Sequence, residues 1–400
     1  MEIVMIGPFA FKPKGTVSAR AFFIARALVQ RGHQVTILMP PYDNPADSGR
    51  AWEQDGVQLE NAHLRHDDAW HRLVVPLRLA RRATALDPDV VHVFKPTGYS
   101  GLAGIYLHLF SRRPLVLDTD DWEGSGGWAD VNAYPALRRR FFDWQERWLA
   151  RRAGAVTVAS RTLQAQVWGF GRDPARVIYL PNGPDERLRE ADRAGEGDIA
   201  GVRAALGVGP APLALYLGHI PLGNDLDLAL DALALVRQRL PGARLVIAGV
   251  GDGLPALEAH ARRAGVDGAV IFPGWIEHER AHLYLAAADV VVSPYRDTLI
   301  NRAKCPAKVV SAMALGKAVI TSRVGQNREY IEEGRSGLLT EPGDAHDLAR
   351  ALHDLLSDRD RAAELGRNAR QRIWQHFSWA SRIDEVERAY RLAGARGQGR

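Results

Sequence analysis

Short β-rich runs alternate with helical stretches from one end of this chain to the other, and few architectures absorb such a pattern. In the first half the runs are EIVMIG, QVTILMP, GVQLEN, DVVHVF, PLVLDT, GAVTVAS and VIYLPNG, separated by helical segments such as SARAFFIARALVQRG and YPALRRRFFDWQERWLARRAG. Alternation of this kind builds parallel, doubly wound sheets. Residues 184–199, PDERLREADRAGEGDI, have little to bury and read as a linker. The pattern then restarts with PLALYLGH, RLVIAGV, AVIFPGW, DVVVSPY, KAVITS and GLLTEP. The expected fold is α/β, with two Rossmann-like doubly wound parallel-sheet domains facing a central cleft. Residues 1–190 form the first and residues 191–375 the second. Residues 376–400 supply a last helix that packs back toward the first domain and ends in a frayed tail.

With 46% hydrophobic and 25% charged residues, 400 residues suit two or three globular domains. The longest apolar runs are strand-length, far below the roughly 20 residues of a membrane helix. The start, MEIVMIGPFAFKPKG, lacks a basic region before its apolar stretch and a small-residue cleavage site. It reads as a first strand, and a cytoplasmic location is the default expectation. Cys305, the single cysteine, can form neither an internal disulfide nor a cysteine-based metal site. A net charge of +5 favours an anionic partner but is small for this length, so nucleic acid is not expected. Among the basic residues, 46 are arginine and six are lysine: Lys12, Lys14, Lys95, Lys304, Lys308 and Lys317. A compact ammonium suits phosphate. Chance clustering is the alternative.

Ligands of open parallel sheets bind beyond the carboxyl ends of the strands. The loops there are GPFAFKPKGT, FKPTGYSG, DTDDWEGSGGW, GHIPLGND, GVGDG and PYRDTLINRAKCP. Gly15 in PKGT lets backbone approach a ligand, and the glycines of GVGDG repeat the arrangement, although neither completes a dinucleotide fingerprint. DTDDWEG carries four acidic groups in seven residues. It reads as a cleft carboxylate that serves acid/base or acceptor-orienting chemistry, as helix capping, or as a metal clamp from Asp118 and Asp120. Strand alternation sends those two to one face and Asp121 to the other. His92, inside DVVHVF, reads as a core histidine, and Lys95 at that strand's end as the better cleft residue. In INRAKCPAK, cations surround the start of a helix beginning near Pro306, where acidic residues are favoured. A diphosphate seated there would give Arg302, Lys304 and Lys308 a purpose. Otherwise they extend into water.

PKGTVSARAFFIARALVQRGHQVTILMP, YLPNGPD, ALYLGHIPLGNDLDLALDAL, LVIAGVGDG, VIFPGW and PYRDTLINRAKCPAKVVSAMALGKAVITSRVGQNREYIEEGRSGLLTEPGD follow one another in a recognisable order. Together they resemble the GT-B glycosyltransferases of family 4, retaining enzymes that use nucleotide sugars, across some 330 residues. The chain departs from that family in three places. A glutamate pair eight positions apart is replaced by Ala303 and Ser311. An arginine and a lysine after the second domain's first strand give way to His219 and Asn224. The usual cleft histidine aligns with Asp120.

The resemblance implies metal-independent sugar transfer with retention, with no cofactor and a nucleotide sugar as substrate. The donor would contact Gly15, His219, Asn224, Gly249, Gly251, Trp275, Glu277, Asn301, Arg302 and Ser311. The catalytic group would be Asp120, Lys304 and Lys308. A glycan or lipid-linked acceptor would meet Lys12, Lys95, Asp121 and Trp122. A catalytically inactive homologue that binds nucleotide or glycan, and a sugar-nucleotide epimerase, are the alternatives. Residues 138–152, RRRFFDWQERWLARR, mix arginines with aromatics. They read either as a crossover helix with solvated arginines or as a peripheral contact with an anionic membrane at its inner face.

Overall fold

The computed structural model describes residues 1–11, 16–42, 44–64, 71–132, 134–189, 195–221 and 225–395. The chain divides into two compact units. The first contains Met1–Asn182, the tetrapeptide Arg302–Cys305 and the last helix, Trp379–Ala393. The second contains Gly183–Asn301 and Pro306–Ser378.

The first unit's strands are β1 (Glu2–Ile6), β2 (Gln34–Met39), β3 (Ala51–Gln54), β4 (Val57–Asn61), β5 (Val90–Phe94), β6 (Leu115–Thr119), β7 (Ala155–Val158) and β8 (Val177–Tyr179). They form one sheet in the order β3-β4-β2-β1-β5-β6-β7-β8. All pairings are parallel except β3 with β4. VVHVF of β5 and LVLDT of β6 are buried throughout, as strands covered on both faces must be. The sequence pattern missed β3. AWEQ alternates between exposed and half-buried, as an edge strand does. Asp55 and Gly56 both take positive φ (51° and 78°), making the two-residue hairpin turn that a DG pair favours.

The last helix belongs to this unit's core. Trp379, Ile383, Val386, Ala389 and Tyr390 pack in one apolar cluster with Ile3, Met5, Val90 and Val116. Removing such side chains from water at about 25 cal/mol per Å² ties the C-terminal segment to the N-terminal sheet.

The second unit's strands are β9 (Leu213–Leu217), β10 (Arg244–Ala248), β11 (Val270–Gly274), β12 (Val290–Ser293), β13 (Ala318–Ser322) and β14 (Leu338–Thr340), in the order β11-β10-β9-β12-β13-β14, all parallel. The stretch expected as linker is partly structured. A 3-10 turn covers Glu186–Arg189 and a helix begins at Glu196. The Arg189 guanidinium sits 4.0 Å from the Trp374 ring centroid, which gives this polar segment something to pack against.

Strand order reverses direction between β1 and β5 in the first unit and between β9 and β12 in the second. Crevices at such switch points are where open α/β sheets bind ligands.

Candidate functional site

At the first unit's switch point, Lys95 directly follows β5 and β6 runs into the acidic loop. Lys95 is buried and holds φ +66°, a left-handed conformation that costs a non-glycine residue on the order of 1 kcal/mol. Its ammonium donates to Asp121 Oδ2 at 2.7 Å and Glu123 Oε1 at 2.5 Å. Asp120 Oδ1 lies 3.1 Å away, close enough for an ion pair but making no hydrogen bond. Burial disfavours the charged ammonium, yet the three carboxylates outweigh it and hold the Lys95 pKa well above its ordinary value. Burial raises the Glu123 pKa against the pull of Lys95, and Asp121 and Asp120 add to the rise.

The loop carrying these carboxylates is held from behind by the helix Ala136–Arg152. Glu146 accepts the amides of Glu123 (3.1 Å) and Gly124 (3.0 Å), and Asp143 accepts that of Ser125 (3.1 Å). Burial pushes the Glu146 carboxyl up to about 8 despite those amides. Trp122 Nε1 closes the loop on Ser125 O at 2.8 Å.

Asp118 has another occupation. Arg20 grips it bidentately, both bonds at 2.7 Å, and also donates to Asn182 Oδ1 and Leu180 O. Thr157 adds a 2.6 Å bond to Asp118 Oδ2. Asp118 is thus engaged by Arg20 and Thr157 instead of being left to pair with Asp120 as a metal clamp would require. The alternation rule also fails here, because β6 ends at Thr119 and both Asp120 and Asp121 reach Lys95. His92 is a core histidine between Tyr390 Oη (3.1 Å) and Thr157 Oγ1 (3.3 Å), with its pKa lowered to about 3 by burial and by Arg20. Asn182 extends the network to Cys305, whose carbonyl accepts from its side chain at 2.8 Å.

In the second unit, the loops after β9 and β10 lie backbone against backbone. A Cβ on Gly249 would meet Gly218 O at 1.9 Å, and one on Gly251 would meet Ile220 O at 2.1 Å. Ile220 N donates to Val250 O, and the exposed His219 ring bonds the same carbonyl at 2.9 Å. Gly249 and Gly251 thus serve the close packing of these loops. Across the switch point, Arg296 donates to Asp225 and Asp227, and Asn301 Nδ2 donates to Asp225 Oδ2 at 2.8 Å. Trp275 and Glu277, just past β11, are exposed.

The segment expected to form a cationic helix start is split between the units. Arg302, exposed, and Lys304, 5.5 Å from the Trp128 ring centroid, belong to the first. The helix Ala307–Ala314 belongs to the second. Its first turn contains no acidic residue, and no side chain caps it. Lys308, in that turn, is half-buried; its ammonium lies 4.2 Å from the Tyr216 ring centroid and donates to Tyr216 Oη at 2.5 Å. Among the described residues no carboxylate lies within 4.0 Å of it. Burial lowers its pKa. Ser311, one turn on, is half-buried, and Ala303 is buried. Lys317 donates to Ala286 O and Ala288 O at a helix end, so it is committed to structure. Lys12, Gly15 and Asn224 lie outside the described residues.

Sequence reasoning missed Arg20, Glu146, Tyr216 and the Asp225–Arg296 pair, and counted Glu123 in the acidic loop without giving it a role of its own. Arg20 left a signal, a single cation ahead of the apolar run AFFIA. Glu146 left none, since it sits in a helix full of charge.

Two parallel-sheet α/β units, each with polar groups at its switch point, define the class of two-domain GT-B folds. Residues 15–183 match the glycosyl transferase 4-like domain, and residues 203–372 match the glycosyl transferases group 1 family. The chain belongs to the GT-B glycosyltransferases of family 4. It is 29% identical to a Mycobacterium tuberculosis glycogen synthase, over all of this chain and 96% of that one. It is also 29% identical to that organism's GDP-mannose-dependent alpha-(1-6)-phosphatidylinositol monomannoside mannosyltransferase, over 95% of each. Anabaena HepE, solved with UDP and glucose, superposes with a TM-score of 0.75 over 97% of this chain and 98% of its own, at 21% identity.

Proposed function

We propose that this protein transfers a sugar from a nucleotide-sugar donor to a glycan or lipid-linked acceptor, with retention at the anomeric carbon and without a metal ion. The observation that carries the reading is Lys308. A half-buried ammonium with no carboxylate within reach among the described residues, at an uncapped helix start, is costly unless an anion completes it. A departing nucleoside diphosphate is such an anion, and ammonium and helix amides together would stabilise the charge that develops on it. Gly218 packs close to the ammonium, since a Cβ added there would stand 3.2 Å from Lys308 Nζ, and it brings no side chain of its own to neutralise the charge. In this reading His219, Gly249, Gly251, Asn301, Ser311, Trp275 and Glu277 are the second unit's donor-side residues. Gly15, Asn224, Arg302 and Lys304 complete the donor and catalytic set expected from the sequence.

On the acceptor side, Asp120 is the working carboxylate. Lys95 directs its hydrogen bonds to Asp121 and Glu123, so Asp120 keeps its electrostatic partner while remaining able to accept a hydroxyl proton. Lys95, Asp121 and Trp122 belong to the same acceptor side, and Lys12 is the further acceptor residue expected from the sequence. The protein is read as cytoplasmic.

The test is a thermal-shift panel of nucleoside diphosphates and sugar nucleotides, followed by transfer assays with the donor that raises Tm. Transfer with retained configuration, lost in Lys308→Met, supports the reading. A donor isomerised without acceptor would make the protein an epimerase, and binding without turnover would make it an inactive homologue.

A further inference from the structure

The aromatic residues of the helix Ala136–Arg152 are not spent on the core. Leu137, Phe141, Trp144 and Trp148 recur at helical spacing along one flank, about 16 Å long at 1.5 Å per residue. Neighbouring rings touch: Phe141 and Trp144 stack at 5.7 Å, Trp144 lies 5.9 Å from Trp148, and Trp148 meets His108 edge-on at 5.2 Å. His108 opens the exposed end of the helix Gly98–Phe110, where Leu109 and Phe110 follow. Leu137 is 82% exposed, Phe110 83% and Trp144 46%. The packing of this helix is done by other residues, Gln145, Glu146, Leu149 and Ala150, all buried. The result is a continuous apolar strip facing water, which an unpartnered surface seldom carries.

Arginines border the strip. The Arg138 guanidinium lies over the Tyr134 and Phe142 rings and that of Arg152 over Trp148, while Arg140 is exposed. Among the described residues none of the three has a carboxylate within 4.0 Å. The nearby acids are taken, Asp143 by Arg147 and Asp130 by Arg139.

We propose that this strip seats the protein on an anionic lipid bilayer, with the aromatic rings in the interfacial layer and the arginines among the headgroups. Amphipathic tryptophan rings flanked by unneutralised cations suit that layer, where one side of the strip is apolar and the other wet and negative. The same helix holds the Asp120–Glu123 loop through Glu146, so a docked bilayer would lie against the element that shapes the acceptor side. The inference deepens the acceptor half of the reading above, choosing the lipid-linked class, but bilayer binding itself requires no sugar transfer.

The test is flotation of the full chain with vesicles of phosphatidylcholine alone or with about 30% phosphatidylglycerol, at low and high salt. The wild type is expected to float with the anionic vesicles only, and less so in high salt. The double variant Phe110→Ser with Trp144→Ser, and the triple variant Arg138→Gln, Arg140→Gln, Arg152→Gln, should each bind at least about tenfold more weakly. Unchanged Tm and an unchanged nucleotide-induced shift would show that both remain folded and keep the donor site. Absence of wild-type flotation, or variants that float like the wild type, overturns the proposal. So does light scattering that finds a wild-type dimer turned monomeric by the serine variant, since the strip would then be a protein interface.

Discussion

Each unit holds a lysine at the carboxyl edge of its sheet, and the two are treated in opposite ways. Lys95 is surrounded by three carboxylates that the chain itself supplies, and its backbone is bent into a left-handed conformation to reach them. Lys308 has a tyrosine hydroxyl and a ring, and no carboxylate within 4.0 Å among the described residues. The first cation is a structural keystone completed at folding. The second is left incomplete, and a half-buried charge without a counter-charge is where a protein makes room for a ligand.

The sharpest way to break that contrast is to remove each ammonium. Lys95→Met strands three carboxylates in a half-buried loop, and losing one partner of a buried ion pair typically costs about 3–5 kcal/mol. Denaturant unfolding should show a loss of that size, larger at high pH where the carboxylates cannot take up protons. Lys308→Met should leave stability unchanged or raise it by about 1 kcal/mol, because an unneutralised cation is exchanged for an apolar side chain. Turnover should nevertheless fall by about 10²–10³, as when one preorganised charge is taken from a developing anion. If both variants lose stability alike, Lys308 is structural as well and the contrast disappears.

A second measurement probes the scaffold under the first cluster. Glu146 is raised from 4.5 to about 8 by burial. Between those values the unfolded chain has released the proton and the folded chain still holds it, so raising the pH from 5 to 8 removes stability. Glu146→Gln keeps the neutral form at every pH. Relative to the wild type it should gain on the order of 2 kcal/mol across that window, allowing for relaxation around the charge. A difference independent of pH would mean the carboxyl is already ionised.

The strands were readable because both faces of a parallel sheet are covered, so runs such as VVHVF and VVVS are apolar without interruption. β3 was not, because an edge strand presents alternating residues to water, and only its DG turn announces it. The acidic loop was legible as chemistry but not as geometry. DTDDWEG shows four carboxyl groups; that Asp118 belongs to Arg20 while Asp120, Asp121 and Glu123 belong to Lys95 depends on strands brought together from 25 to 98 residues away. The lysines show the same limit. Composition singled out all six alike, but folding commits Lys317 to helix-end carbonyls and Lys95 to carboxylates, while Lys308 is given a tyrosine hydroxyl and no carboxylate within 4.0 Å among the described residues.

The smallest expected effect concerns Trp275, which sharpens the contrast from the ligand's side. At 64% exposure its ring contributes little to the second unit's core, so Trp275→Ala should change unfolding free energy by less than about 0.5 kcal/mol. A residue that a nucleotide covers should still matter once ligand is present: stacking of a base on an aromatic ring is worth about 1–3 kcal/mol. Titration calorimetry with the nucleoside diphosphate that raises Tm therefore separates two arrangements. Weaker binding at unchanged stability places Trp275 beside the same ligand as Lys308. Unchanged binding confines the donor to the loops around β9 and β12, and Trp275 becomes an ordinary exposed ring.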